Sequence, residues 1–454
     1  LQSGLIDKKD LERKYAQELH ANEIVLLAYY IAAVNIENAY HDLLEEGNDY
    51  QNFEGVCLTD TFQLSETEAN EQLFSEMFPK NSIRVEAQKK APIKVIMGNP
   101  PYSVGQRSAN DNAQNLSYIH LDSRIKSSYV KKSDAGLKKS LYDSYIKAFR
   151  WASDRIEEEG IVAFVTPSTW IDGNTQMGFR KCIEDEYSSI YIFNLRGNGR
   201  TSGELCRQEG EPLFAAHGGT GGSLLPISIT LLIKKKENIG LTKIFYRDIG
   251  NYLKRNKKLE IVRNLKSISN PDMNWENIKP NKHGDWINQR NEAFEEFIPI
   301  GDKKGDTKQK SYFIPFYSNG VKTNRDAWVY NFRRDSVISN MTESIRIYNS
   351  ELKIFKDKSK GIEKPKADDY IDFKHKMISW TREIKWDIEK GIKYEFEENC
   401  LVKALHRPFT KQNLYFNKGW NNMRYQIPKL LPNSELNNLV ICIPAPGGKK
   451  DFTA

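Results

Sequence analysis

Lys94-Val95-Ile96-Met97-Gly98-Asn99-Pro100-Pro101-Tyr102 is the stretch on which the fold turns. Lys94 to Met97 is a short apolar run of the kind buried in a sheet. The two prolines behind it have no N–H with which to extend a ladder. The chain must therefore turn where the strand stops. In open α/β sheets ligands bind outside the C-terminal ends of the strands, so this turn falls on a ligand-binding edge.

Working upstream, Gln17 to Asn22 reads as a short strand, Ile24 to Leu44 as a helix and Gly55 to Leu58 as another strand. Downstream, a polar stretch from Ser103 to Lys139, expected to be mobile, precedes an amphipathic helix over Leu141 to Glu158 that ends at Gly160. Ile161 to Val165 is then a strand, and Ile190 to Asn194 and Ile227 to Ile233 are the last strands, separated by a Gly-rich connection from Arg196 to Ser223. This alternation predicts an α/β fold with a mostly parallel sheet covered on both faces. Beyond Lys236 the pattern breaks into short strands, aromatic and Asn-rich loops, and Lys clusters at Lys303 to Lys310 and Lys353 to Lys360. Two domains are expected, residues 1–235 and residues 236–454.

With 454 residues, 39% hydrophobic and 28% charged, the chain can bury a substantial core and is not of disordered composition. Its longest apolar run, Ile24 to Val34, is shorter than the about 20 residues of a membrane span, and no secretory signal precedes it. The cysteines at 57, 182, 206, 400 and 442 form no Cys-x-x-Cys pair and have no His-rich neighbour. A reduced, cytoplasmic protein without structural metal or membrane association is expected. The net charge of +7 hides an asymmetry: residues 1–235 hold 26 Lys and Arg against 32 Asp and Glu, residues 236–454 hold 41 against 28. A basic, aromatic-rich second half suits a polyanion whose phosphates meet Lys and Arg; a Lys-rich solvated surface is the plainer alternative.

The tetrapeptide Asn99 to Tyr102 suggests its own chemistry. An exocyclic adenine amine is a poor nucleophile, because its lone pair is delocalised into the ring. An Asn side-chain oxygen and the carbonyl of the following Pro can each accept one amine hydrogen, and the prolines keep both acceptors aimed. The aromatic at the fourth place offers a stacking surface for a base taken out of the duplex. Read without that chemistry, the same residues make a rigid strand-ending turn with a packed Tyr.

Further stretches extend the pattern: Glu18-Leu19-His20-Ala21-Asn22-Glu23-Ile24, Leu58-Thr59-Asp60-Thr61-Phe62, Asn194-Leu195-Arg196-Gly197-Asn198, Ser318-Asn319-Gly320-Val321-Lys322-Thr323-Asn324-Arg325-Asp326 and Arg407-Pro408-Phe409. With Asn99 to Tyr102, and in this order, the sequence resembles the gamma-class adenine-N6 DNA methyltransferases. More narrowly it resembles the methyltransferase and target-recognition portion of single-chain Type ISP restriction-modification enzymes. The resemblance implies a class I, Rossmann-like S-adenosylmethionine-dependent methyltransferase sheet followed by a mixed α+β target-recognition domain. Double-stranded DNA is the implied partner, with nuclease and helicase-like translocase domains upstream in the same parent chain.

By the same resemblance Asn99, Pro100, Pro101 and Tyr102 are catalytic. Glu23 would take the ribose hydroxyls of S-adenosylmethionine, Ile24 would lie against its adenine, Asp60 would accept the adenine amine and Phe62 would cover the ring. Read from the residues alone, Glu23 is equally a helix N-terminal acid and Asp60 a turn or cap residue. Phe214 is the expected second aromatic against the flipped base, or a core or loop anchor, since residues 217–222 depart from the expected spacing. The Gly-rich cofactor loop after the first strand is not found before Glu23, which implies truncation of that strand and loop; a chain without them is expected to be catalytically impaired, and the recognition domain is expected to be truncated at its C-terminal end. The Gly-rich runs at 196–203, 217–222 and 446–449 lack the Gly-Lys-Ser/Thr ending of a phosphate loop and read as plain loops. Asn319, Lys322, Asn324, Arg325 and Arg424 are candidate DNA contacts, each otherwise an ordinary surface or loop residue. RNA or protein-glutamine methylation and a non-catalytic DNA-recognition and coupling role are the alternatives.

Overall fold

A computed structural model describes residues 4–44, 49–66, 78–102, 118–136, 138–215, 222–237, 241–298, 317–373, 378–407, 410–433 and 438–442. Residues 103–117 of the polar stretch, the Gly-rich runs 217–221 and 446–449, the Lys cluster 303–310 and residues 408–409 lie outside the described residues. The chain divides into two compact units, Leu1–Asn291 and Glu292–Ala454.

In the first unit, α1 (Lys8–Gln17) leads into β1 (Ala21–Glu23), α2 (Leu26–His41), β2 (Val56–Leu58), α3 (Pro79–Lys90) and β3 (Val95–Gly98). The first strand is thus Ala21–Glu23, later than the expected Gln17 to Asn22, because Asp7 caps a helix whose hydrogen bonds persist to Gln17. β1 and β2 pair in parallel, Glu23 opposite Leu58. Next come α4 (Ile119–Ile125), α5 (Ser144–Arg155), β4 (Gly160–Pro167), α6 (Met177–Glu186), β5 (Ser189–Arg196), α7 (Glu204–Glu209), β6 (Ile227–Lys234), β7 (Lys243–Asp248), α8 (Arg255–Leu265) and β8 (Glu276–Ile278).

Six strands form one Rossmann-like sheet in the order β3-β4-β6-β5-β7-β8. β3 runs parallel to β4 and β5 to β7, while β6 inserts antiparallel between β4 and β5. β6 pairs on both sides, Thr230 facing Phe164 and Ile192, which makes β4-β6-β5 the rigid middle of the sheet. The outer edge of β3 has no partner among the described residues, and Val95 and Met97 on it are 56% and 77% exposed. Leu27, Tyr30, Ile31 and Val34 on α2 are uncovered as well. No described helix is long and apolar enough to cross a membrane.

Two expectations about the chain's layout are corrected. The stretch expected to be polar and mobile contains α4, continued by a π turn through Val130, and buries Leu121, Ile125 and Tyr129 at four-residue spacing. The domain border expected after residue 235 falls at 291/292, because β7 and β8 extend the six-stranded sheet. Arg180 adds a tie: fully buried on α6, it donates to the carbonyls of Gly284 (2.9 Å), Trp170 (2.8 Å) and Gly173 (2.8 Å). Trp286 packs edge-on against Trp170 at 5.6 Å, in the core shared with Phe149 and Phe179.

The second unit is built on α9 (Asp326–Val329), β9 (Tyr330–Asn331), α10 (Arg334–Lys358), α11 (Arg382–Glu389), β10 (Leu401–Arg407), β11 (Thr410–Tyr415) and α12 (Ile427–Leu430). β10, β11 and β9 make a small antiparallel sheet. The Lys cluster at 353–360, expected in irregular structure, lies mostly on the last turns of α10. That 25-residue helix buries Val337, Met341, Ile345, Tyr348, Leu352 and Phe355 along one stripe.

Replacing Arg180 by Ala strands three buried carbonyls. We expect the urea midpoint of the first unit to fall by the equivalent of about 3 kcal/mol or more, with the slope unchanged. An unaltered midpoint would show that Arg180 is not a strut.

Candidate active site and nucleic-acid interface

β3 ends at Gly98, opposite Phe164 of β4, and Pro100 and Pro101 prevent further pairing. The chain folds back so that the Tyr102 hydroxyl donates to the Val165 carbonyl of β4 at 3.1 Å and lies in hydrogen-bond contact with Asn99 Oδ1. This closes Asn99 to Tyr102 into a ring at the sheet's C-terminal edge. Asn99 is exposed and Tyr102 half-buried. Burial pushes the Tyr102 phenol up to about 12, so it stays a donor at working pH.

Phe214 meets Tyr102 with ring centroids 6.5 Å apart and planes tilted by 43°. A base held between two rings needs them about 7 Å apart, two stacking distances, so small movements suffice to admit one. Phe214 is 41% exposed, and its carbonyl accepts from Ser223 N at 2.9 Å.

The connection that carries Phe214 is fastened below. Glu209 Oε2 accepts from the backbone N–H groups of Gly197 (3.1 Å) and Asn198 (3.2 Å). Lys258, fully buried on α8, donates to the Glu209 carbonyl at 3.0 Å. Arg196 binds both oxygens of Asp248. Gly210 has φ +70°, and a Cβ there would stand 2.3 Å from the Leu253 carbonyl oxygen, so only glycine fits. Lys258 and Glu209 were not read from the sequence; a lysine in an amphipathic helix gives no local sign that it is buried.

The expected cofactor residues gather at the ends of β1 and β2. Glu23 closes β1, its carbonyl accepting from Thr59 N at 2.9 Å, while its carboxylate makes no hydrogen bond to a described residue. Ile24 beside it is 46% exposed. Asp60 caps a 3-10 turn: Oδ1 accepts from Phe62 N at 2.9 Å and Oδ2 from the Tyr118 hydroxyl at 2.7 Å. The cap reading of Asp60 is therefore realised. Phe62 stands edge-on to Tyr118 at 5.4 Å. Asn81, also missed in the sequence, pairs with both backbone groups of Leu58 (2.8 and 3.0 Å) and holds the end of β2. A half-exposed carboxylate without a partner among the described residues, beside an exposed aliphatic, suits a ribose diol and a purine face.

In the second unit, Asn319, Lys322 and Asn324 are exposed, and Arg424 is half-buried with its guanidinium 5.1 Å over Phe416. Lys322 and Met423 exchange two backbone hydrogen bonds, which brings the two loops together. Arg325 corrects the expectation of a DNA contact. It is 4% exposed and donates to the carbonyls of Trp420 (2.7 Å) and Ser379 (3.4 Å) and to Thr381 Oγ1 (2.9 Å). Burial pulls its guanidinium down to about 10. Both of its terminal nitrogens are engaged inside the unit.

Residues 14–199 match the Eco57I restriction-modification methylase family, and residues 312–454 match the Type ISP C-terminal specificity domain. By family the chain joins a restriction-modification methylase domain to a Type ISP specificity domain. It is similar to the Type ISP restriction-modification enzyme LlaBIII, solved bound to DNA (39% identity over 96% of this chain, TM-score 0.80), and to a nuclease-deletion mutant of LlaGI in complex with a DNA substrate mimic (38% over 96%, 0.82). A third similar structure is the DrdV–DNA complex (34% over 94%, 0.75). The chain spans 28%, 34% and 40% of these three chains respectively. No curated protein matches it.

Burial holds Lys258 down to about 8, whereas an unfolded chain keeps that proton to about pH 10. Between those values the unfolded state binds more protons, so this lysine makes stability rise with pH. We expect the urea midpoint of the wild type to rise relative to that of Lys258→Met from about pH 8 to about pH 10. Parallel midpoints would refute the burial of its charge.

Proposed function

We propose that this chain methylates adenine N6 in DNA with S-adenosylmethionine, as the modifying and site-reading part of a restriction-modification enzyme. The observation that carries this reading is the closed Asn99 to Tyr102 turn at the sheet edge with Phe214 facing it. S-adenosylmethionine, when bound, supplies an electrophilic methyl group. Glu23 would hold its ribose hydroxyls, with Ile24 and Phe62 about its adenine and Asp60, through remaining lone-pair capacity, on the amine.

The protein's own part is to localise a lone pair. A flipped adenine stacks between Tyr102 and Phe214. Its amine displaces the Tyr102 hydroxyl from Asn99 Oδ1, and the hydroxyl keeps its bond to the Val165 carbonyl. Asn99 Oδ1 and the Pro100 carbonyl then each accept one amine hydrogen, which draws the nitrogen's lone pair out of conjugation. Both acceptors are neutral, so they need no deprotonated side chain, and the proton released after transfer passes to water.

The open edges of β1 and β3, with Val95, Met97 and the α2 face uncovered, support a further strand between them. That is the strand which the resemblance expects to carry the Gly-rich cofactor loop. Asn319, Lys322, Asn324 and Arg424 would meet DNA in the second unit. Nuclease and translocase domains belong to the same reading, given how little of its relatives the chain spans.

In a chain extended through that further strand and its loop, Asn99→Ala should lower labelled-methyl transfer to DNA by roughly 100-fold or more while DNA affinity stays within about threefold. Tyr102→Phe, which keeps the ring, should lose far less than Tyr102→Ala. Wild-type transfer by Asn99→Ala would sink the assignment.

A further inference from the structure

The loops 317–325 and 422–426 of the second unit hold a tip that neither the fold nor the site accounts for. Met423 exchanges backbone hydrogen bonds with Lys322 at 2.8 and 2.9 Å. Gln426 N donates to Ser318 Oγ at 2.9 Å, and its side-chain amide to the Tyr317 carbonyl at 3.2 Å. Buried Trp420 and Asn421 anchor one end and α12 closes the other. The loop is rigidly fastened on both sides.

What it presents is apolar. Met423 is 47% exposed and Tyr425 41% exposed, with Tyr317 at 44%. Tyr425 has φ +45°, a left-handed conformation that a bulky side chain adopts only under constraint; Asn324, on the facing loop, has φ +57°. Strained backbone that displays an aromatic to solvent concentrates at binding sites. Packing covers these side chains only in part.

Charge selects the partner. The two loops, residues 317–325 and 422–426, contain no Asp or Glu, and besides the interior Arg325 they carry Lys322 and Arg424; the carboxylates that reach them, Asp326 at Thr323 and Glu383 at Asn422, belong to α9 and α11. Lys322 lies beside Met423, and Arg424, stacked on Phe416, stands between Met423 and Tyr425 in the chain. An exposed aromatic flanked by Lys322 and Arg424 is complementary to nucleic acid: phosphates for the cations, base faces for the ring.

We propose that Tyr425, backed by Met423, stacks on a base exposed where the bound duplex is locally distorted, with Lys322 and Arg424 on the neighbouring phosphates. This rests on the reading of the second unit as DNA-binding. Apolar side chains inserted at a base step hold DNA in a deformed state, which removal of an adenine from the stack requires.

The test is equilibrium binding of the full chain to a short duplex with one abasic position, which leaves an unpaired base, and to the intact duplex, across a salt series. We expect the wild type to favour the abasic duplex and Tyr425→Ala to bind it roughly tenfold or more weakly. The slope of log affinity against log salt should not change, because no phosphate contact is lost. Tyr425→Phe should stay within about twofold, whereas Lys322→Ala should reduce the slope by about 1. Tyr425→Gly, which accepts the left-handed backbone, should behave as Tyr425→Ala. Wild-type binding by Tyr425→Ala, or by Tyr425→Gly alone, overturns the stacking role and leaves the DNA-binding reading intact. Failure of the wild-type chain to bind either duplex at low salt overturns both.

Discussion

Two peptide nitrogens without hydrogens govern the active edge. Pro100 and Pro101 cannot donate to a neighbouring strand, so the ladder that joins β3 to β4 ends at Gly98. What replaces the missing backbone bonds is a side chain: the Tyr102 hydroxyl reaches the Val165 carbonyl on β4. The turn is therefore tied to the strand whose place is set by full pairing with β6. The proposed reaction needs two carbonyl-type oxygens held on one amine, and a proline bend bonded to the middle of a sheet is stiffer than a flexible loop. In the proposed reaction Tyr102 offers its ring to a base, while its hydroxyl, bonded to the Val165 carbonyl, lies against Asn99 Oδ1 until an amine takes that place.

Buried cations hold the remaining pieces. Removing a charge from water is costly, and a buried cation persists only when oxygens surround its donors. Arg180, Lys258 and Arg325 each meet that need with carbonyls from distant parts of the chain. Arg180 thereby ties the segment after β8 to α6, Lys258 secures the connection that carries Phe214, and Arg325 joins the start of α9 to the Trp420 loop. Arg150 works in the same way through carboxylates, bonding Glu186 at 2.6 and 2.9 Å and Asp154 at 2.7 Å. The left-handed backbone of Tyr425 follows closely on Trp420, whose carbonyl Arg325 holds.

The second unit separates two kinds of basic residue that look alike in sequence. Arg325 and Lys322 lie three positions apart in one polar loop, yet one is enclosed under Trp420 while the other is exposed. The long helix α10 makes the same point: its lysines mark an outer face, and its stripe of Val337, Met341, Ile345, Tyr348, Leu352 and Phe355 marks the core. Composition suggested irregular structure there, but periodicity would have indicated a helix.

A family resemblance, and not spacing, pointed to Glu23, Ile24, Asp60 and Phe62; the sequence by itself determined the turn at Asn99 to Tyr102 and the alternation that leads to an α/β sheet. Each of these follows from covalent geometry or from spacing within a few residues. Tertiary structure alone decided that β7 and β8 complete the sheet, that β6 enters it antiparallel, that Phe214 stands by Tyr102, and that Arg325 and Lys258 are interior. Those outcomes depend on which distant segments desolvate a given side chain, and desolvation is a property of the packed chain that no neighbouring residue encodes.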